Sequence, residues 1–288
     1  MTVARPDPET IPARTPGRLR RLAARMGWLE TVALVSLGVI TLLALIAPWI
    51  TPFDPYLRVA PAHLPPGWPH LFGTDDLGRD LFSRVLLGVT YTWLPGLCII
   101  LVALVVGTAL GLAAGTMGGT ADLVIMRLVE LFLVLPSTLI ALAVVAALGP
   151  GLVNTMIAIT IFWWPWYTRI VRDEVCRLRV RPHVEAARIG GSRGTALVLR
   201  HIAPGVVPAL LVTATLDVAN VIMTLSLMSF LGLGQPAPAP ELGAMTARGI
   251  DSLTVFWWLP ILPAVAIMVM CLMANLAGDG LRRAVRGA

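Results

Sequence analysis

The chain has 288 residues, of which 57% are hydrophobic and only 13% are charged, about half the roughly 25% charge of a soluble domain. Its mean hydropathy of +0.82 and its long uncharged runs exclude a soluble globular protein and indicate a polytopic membrane protein. The net charge of +6 does not make it a nucleic-acid-binding protein, because its 22 basic residues are all arginine and sit between apolar runs, not on one face of a folded soluble domain.

Residues 1–30 form a polar tail with six arginines. Arg20-Arg21 ahead of an apolar run resembles a twin-arginine export signal. The run is 20 residues long and lacks a small-residue cleavage site, so 31–50 is read as a retained first span. The outer segment, 51–90, is rich in proline as far as Pro69, which predicts extended, irregular chain. Between Gly73 and Gly88 the pattern changes: Leu77, Leu81, Val85 and Leu86 recur at helical spacing, with Arg79, Asp80, Ser83 and Arg84 opposite. This predicts a short helix on the outer membrane face, capped by Thr74 or Asp75 and supported by an Asp80–Arg84 pair. Its aspartates lack the alternating ligands and terminal Glu of a calcium loop.

Span two lies in the uncharged run 93–117, where Gly107, Gly111 and Gly115 recur every fourth residue and allow another helix to approach closely. The uncharged run 131–168 is too long for one span and is divided at Gly149-Pro150-Gly151 into spans three and four. A basic loop, 173–204, leads to span five at about 205–232. Span six, about 257–278, opens on Trp257 and Trp258, as at an interfacial aromatic belt. In this topology 18 arginines fall on one side and four (Arg58, Arg79, Arg84 and Arg248) on the other, which puts both termini in the cytoplasm. The expected fold is all-α and polytopic, with six transmembrane helices and no soluble domain or internal repeat. It divides into a tail (1–30), a first helix with outer segment (31–90), a transmembrane domain of five helices (91–281) and a second tail (282–288).

The basic loop has its own physical logic. Pro182 suits the first turn of a helix, since its missing N–H has no partner there. Residues 182–189 favour helix and Gly190-Gly191 stops it. Ser192 can cap a second helix, 193–203, that leads into span five across Pro204. The first helix, held parallel to the membrane by the glycine turn, is a knob. Val184, Ala187 and Gly191 give it a narrow small-residue face suited to a groove, rimmed by Arg181, Glu185 and Arg188.

Glu185-Ala186-Ala187, three residues, Gly191, twelve residues and Pro204 resemble the EAA loop of bacterial ABC importer permeases. GTDDLGRDLFSR (73–84), SFLGLG (229–234) and NLAGDGLR (275–282) resemble, in that order, segments of the permease subunits of dipeptide, oligopeptide and nickel ABC importers. The resemblance covers residues 28–286, with Ala203 a departure where the family often has Leu. It implies a multi-pass permease of the bacterial cytoplasmic membrane, with a coupling helix between spans four and five. It implies that Pro182, Val184, Glu185, Ala186, Ala187, Arg188, Gly191 and Pro204 transmit force from the ATPase. It also implies a second permease subunit forming a heterodimer, two ABC ATPase subunits, an extracytoplasmic binding protein and transport by alternating access. The chain is expected to be no enzyme and to bind no cofactor: a P-loop needs a lysine, and this sequence has none, so ATP and Mg belong to the partners.

Asp217 is the one acidic residue well inside a predicted span, and Asn220 follows one turn later. A charge at that depth is costly and usually functional. Asp217, Asn220, Thr213 and Thr224, with Trp163, are assigned to the translocation path or the permease–permease interface, with a structural pairing of Asp217 as the alternative. WWPWYTRIVR (163–172) and ATLD (214–217) resemble the nickel-type branch. Nickel-type relatives can carry histidines in span five, but here the corresponding turn offers Asn220 and Thr224, poor nickel ligands. No metal site is expected, and short peptides or a metal held in a chelator are the expected cargo. Trp163, Trp164 and Trp166 are able to stack on such a ligand, although packing and the inner interfacial belt are favoured. Cys98, Cys176 and Cys271 have neither metal nor disulfide spacing. The rival reading is a gradient-driven secondary transporter or channel with Asp217 as its ion site; a membrane scaffold without cargo is a third.

Overall fold

The computed structural model describes residues 28–286, so the arginine-rich tail 1–27, with its Arg20-Arg21 pair and expected cytoplasmic placement, lies outside the described residues. In chain order the helices are α1 (Trp28–Ile50), α2 (Leu81–Met117), α3 (Gly119–Val134), α4 (Ser137–Leu148), α5 (Leu152–Arg179), α6 (Pro182–Ile189), α7 (Gly194–Leu197), α8 (Ala203–Phe230), α9 (Leu242–Gly249) and α10 (Trp258–Arg286). A π-helical turn, Val198–Ile202, joins α7 to α8. By length and composition α1, α2, the run from α7 through α8, and α10 can each cross a membrane, and the bent pair α3–α4 is a fifth candidate. At 28 residues α5 is about 42 Å long; its tryptophans and arginines lower its apolar average, not its reach.

Side-chain contacts fix the direction of each helix. Trp93 Nε1 donates to Thr41 Oγ1 at 2.9 Å and Thr90 Oγ1 donates to the Ala44 carbonyl at 2.7 Å, so α1 and α2 are antiparallel. Between α2 and α5 the partners advance together. A Cβ on Gly107 would fall 2.5 Å from Tyr167 Cβ, on Gly111 2.6 Å from Val171 Cβ, and on Gly115 2.7 Å from Val175 Cβ. The glycine stripe thus lets another helix approach closely, as its spacing predicted; that helix is α5, and it runs parallel to α2. Leu178 packs on Gly205 while Tyr167 sits beside Asp217, which makes α8 antiparallel to α5. Leu216 packs on Gly278 and Cys271 donates to the Ala219 carbonyl at 3.6 Å, so α10 runs against α8. The start of α1 and the end of α10 thus share one face.

A parallel α2–α5 pair forces the chain to climb back between them. Val153 and Met156 line one groove with Cys98 and Val102, about 19 residues above Met117, a rise of about 28 Å against a hydrocarbon core of about 30 Å. The expectation of one uninterrupted third span is corrected here, since α3 and α4 meet at 88°. Pro136 has no N–H to continue the ladder and holds Leu135 extended (φ −81, ψ 140), so the helix stops there.

A second correction concerns the outer segment, where no separate helix forms over 73–88. Residues 73–80 close into a turn through a Thr74–Asp80 bridge, and one continuous helix starts at Leu81. Gly73 and Gly78, both at φ +76, hold backbone that a helix excludes. Asp80, not Thr74 or Asp75, caps α2; it accepts from the Ser83 N–H and hydroxyl, each at 2.7 Å, and meets His70 Nδ1 at 2.8 Å. Arg84 pairs with Asp75 at 3.3 Å instead of Asp80. It also donates to the Pro55 carbonyl at 2.7 Å and the Pro238 carbonyl at 3.4 Å, pinning the loop before α2 to the loop after α8. On that second loop buried Glu241 accepts from Ser229 Oγ and from the Gln235 N–H. Trp258 packs into the core, leaving Trp257 exposed as the aromatic of the expected belt.

Gly111→Val is expected to lower the melting temperature of the purified protein, because overpacking a tight contact costs about 1–3 kcal/mol; an unchanged melting temperature would contradict the α2–α5 contact. Burial pushes the Glu241 carboxyl above its usual value, against the opposing pull of Ser229, the Gln235 N–H and Arg248. The folded chain then holds this proton to higher pH than the unfolded chain. Its stabilising contribution is present below the ordinary carboxylate pKa and is lost as pH rises through the raised one. Glu241→Gln is expected to flatten that decline in a denaturation-versus-pH series, and a profile parallel to wild type would count against it.

Candidate functional site

Two places gather the residues singled out by sequence: a knob between α5 and α8, and a groove among α3, α4, α5 and α8. The knob is α6. Pro182 stands in its first turn and the Arg181 carbonyl accepts the N–H groups of Val184 (3.0 Å) and Glu185 (3.1 Å). At the other end the Ser192 N–H bonds the Ala187 carbonyl at 3.0 Å and the Gly191 N–H bonds Arg188 at 3.1 Å. With Gly191 at φ +91, this is a Schellman stop, which needs a left-handed residue at that position.

The knob's faces differ from expectation. Val184 is completely buried, in one cluster with Leu178, Leu197, Ile202 and Val206, and Ala187 packs against that cluster. They anchor α6 to the body and are not its outward surface, because the i, i+3 spacing puts both on the same inner stripe. Glu185, Ala186 and Arg188 face outward with His183 and Ile189, the last 84% exposed. Ser192 does not cap the next helix; Arg193 precedes α7 without a side-chain cap. That helix is one turn long and passes through the π-helical turn into α8, whose first turn holds Pro204. The wider turn absorbs the N–H that Pro204 cannot supply. On the body side of α6, Arg179 donates to the Gly115 carbonyl at 2.7 Å, and Arg172 pairs with Asp122 at 2.7 Å.

The groove has a volume of about 490 Å³ and brings together Asp217, Asn220 and Thr224 of α8 with Trp163 of α5, four of the five residues assigned to a path. Thr213 is not among its walls; its hydroxyl bonds back to the Ala209 carbonyl at 3.0 Å, one turn from Asp217. Asp217 Oδ1 accepts from Asn220 at 3.5 Å, and the buried Oδ2 has no hydrogen-bond partner. The Tyr167 hydroxyl lies beside the same carboxylate and is its second polar neighbour. Both polar neighbours of this carboxylate are neutral, and no arginine lines the groove. Sequence reading missed Phe132, Phe162 and Ser137, which also line the groove. The available signal was Pro136 inside an apolar run, which brings the α3–α4 break to the groove's edge.

Residues 107–287 match the family of binding-protein-dependent transport system inner membrane components. The chain is 36% identical over 281 residues to a probable D,D-dipeptide transport system permease protein of Escherichia coli K12, covering 95% of this chain and 94% of the relative. It is 40% identical over 259 residues to a di/tripeptide transport system permease protein of Pseudomonas aeruginosa, covering 88% and 86%. A nickel transport system permease protein of Escherichia coli K12 is 37% identical over 261 residues, covering 88% and 92%. The chain belongs to this family of permeases. It is a multi-pass inner-membrane subunit without catalysis or cofactor of its own, and ATP is handled by a separate ATPase.

Gly191→Val is expected to loosen the end of α6, because a left-handed backbone costs an L-residue about 1–2 kcal/mol. Faster amide exchange at residues 191 and 192 would register it; exchange as slow as in wild type would show that the stop does not depend on glycine.

Proposed function

We propose that this chain is one half of a permease pair in an ATP-driven importer of short peptides or of a nickel chelate, with α6 as the coupling helix that meets the ATPase. The observation that carries the reading is the mounting of α6. It sits between the ends of α5 and α8, fastened by Val184 and the Gly191 stop, and those two helices continue into the walls of the groove. From Arg179 to Trp166 along α5 is about 20 Å, so displacement of α6 reaches the groove through rigid helix. ATP-driven closure of the ATPases would swing this lever and open the groove to alternate sides of the membrane.

Six crossings fit this reading. On this reading α3 and α4 act together as the third crossing, which the parallel α2–α5 register supports, and α5 is the fourth. The arginine-rich α5–α8 connection supports a cytoplasmic position for α6 and, with it, for both termini. The groove, open on one side, then faces the second permease, a different chain by the heterodimer reading. The extracytoplasmic binding protein would deliver to the opposite face, built from 51–80 and 231–257. The peptide and nickel cargoes rest on what the relatives are named for. Family membership stands against the rival gradient-driven transporter.

Glu185→Lys reverses the charge on the outward face of α6 without touching its buried side. In proteoliposomes holding the whole importer it is expected to abolish ATP-driven uptake and stimulated ATP hydrolysis while membrane insertion stays normal. Uptake at the wild-type rate would refute the coupling role.

A further inference from the structure

Asp217 is the one charged side chain in the walls of the groove and is only 7% exposed. A buried carboxylate is costly unless donors or a counter-charge satisfy it. Asn220 offers one long hydrogen bond and the Tyr167 hydroxyl lies beside the carboxylate, but both are neutral and no wall of the groove carries a counter-charge. The other walls are aromatic or neutral. Trp163 and Trp166 come from α5, and Phe132 and Phe162, whose rings are 5.4 Å apart, come from α3 and α5. Aromatic faces attract cations. The broken backbone at Leu135-Pro136 borders the same space, and irregular backbone at membrane depth is characteristically found where it lines a solute cavity. Three independent features thus converge: a buried carboxylate without a counter-charge, aromatic walls and a helix break.

Such a cavity selects for positive charge, and the chemistry of its walls decides between a metal ion and an organic cation. Beyond the carboxylate it offers amide and hydroxyl oxygens with no imidazole or thiolate. Among the described residues no three His, Cys, Asp or Glu side chains group as metal ligands, whereas transition metals are held by several such ligands. A primary ammonium needs less, since its three N–H donors are met by a carboxylate, a side-chain carbonyl and a hydroxyl. Asp217, Asn220 and Thr224 are those three acceptors. The volume of about 490 Å³ lies within the range of about 300–1,000 Å³ typical of small-molecule pockets.

We propose that the groove is a transit site for a free primary ammonium, the N-terminal –NH3+ of a short peptide, held by Asp217 and Asn220 while Trp163 and Trp166 flank the rest of the ligand. This rests on the permease reading above and narrows its cargo to peptides. The test uses the complete importer, with partner permease, ATPases and binding protein, in ATP-supplied proteoliposomes; labelled alanyl-alanine and a nickel–histidine complex are the probes. The binding protein is identical in every sample, so changes belong to the permease. Asp217→Asn is expected to cut alanyl-alanine import about ten-fold or more, as for a lost hydrogen bond to a charged group. ATPase stimulation by the loaded binding protein should persist, and Asp217→Glu should restore most of the import. If Asp217→Asn does not assemble, Asn220→Leu carries the same expectation with the carboxylate intact. Import at the wild-type rate in the Asn or Leu variant overturns the proposal. So does failure of Glu to rescue, or parallel loss of import and ATPase stimulation. Wild-type import of the nickel complex but not of alanyl-alanine leaves the permease reading standing and overturns this one, whereas no ATP-driven import of either probe overturns both.

Discussion

Everything in this fold follows from how closely α2 and α5 approach. Lipid supplies no hydrophobic drive to press helices together, so association depends on contact packing. Gly107, Gly111 and Gly115 give that contact by letting the Tyr167, Val171 and Val175 side chains sit where a Cβ would otherwise stand. Because the two helices run parallel, the chain between them must return across the same height. It does so as two short helices, and their meeting point becomes an edge of the groove. One small-residue stripe thus sets the topology and also puts the broken backbone beside Asp217.

Charge is scarce in this protein, and part of it forms clamps at the two ends. At one end Arg84 joins Asp75, Pro55 and Pro238, so that segments 154 residues apart share one buried guanidinium. Buried ion pairs add little net stability but penalise alternative arrangements strongly when a partner is lost; here that fixes the register of the cap. At the other end Arg172–Asp122 and Arg179–Gly115 tie the base of α5 to α3 and α2. Asp217 departs from this pattern, since its polar neighbours Asn220 and Tyr167 are neutral and no arginine clamps it.

The knob and the groove lie at opposite ends of the same two helices, α5 and α8. The side of α6 that carries Val184 belongs to the core, and the side that carries Glu185 and Ile189 faces away from it. A helix mounted in this way is fixed to the body on one side and free on the other. Two irregular stretches separate the knob from the long body of α8: the turn at 190–193 and the π-helical turn just before Pro204.

Much of this was legible from residue order. Uncharged runs, the glycine stripe, the Pro182–Gly191 helix with its stop, and the association of Asp217, Asn220 and Thr224 all depend on local spacing, and local spacing is written in the chain. The rest depended on partners distant in sequence. Asp80 and Arg84 read as a pair at i, i+4, but Asp80 was drawn to Ser83 and His70, and Arg84 to Asp75 and two remote carbonyls. Val184 looked like a docking face because its neighbours are small; only packing against Leu178 and Ile202 shows that it points inward. The third span looked continuous because hydropathy does not register the hydrogen bond that Pro136 removes. Sequence alone determined which segments leave water and which turn, since those follow from transfer energy and backbone chemistry at each residue. Tertiary structure decided which polar groups satisfy one another and which are left open, because that is settled only when helices distant in the chain compete for the same few donors and acceptors.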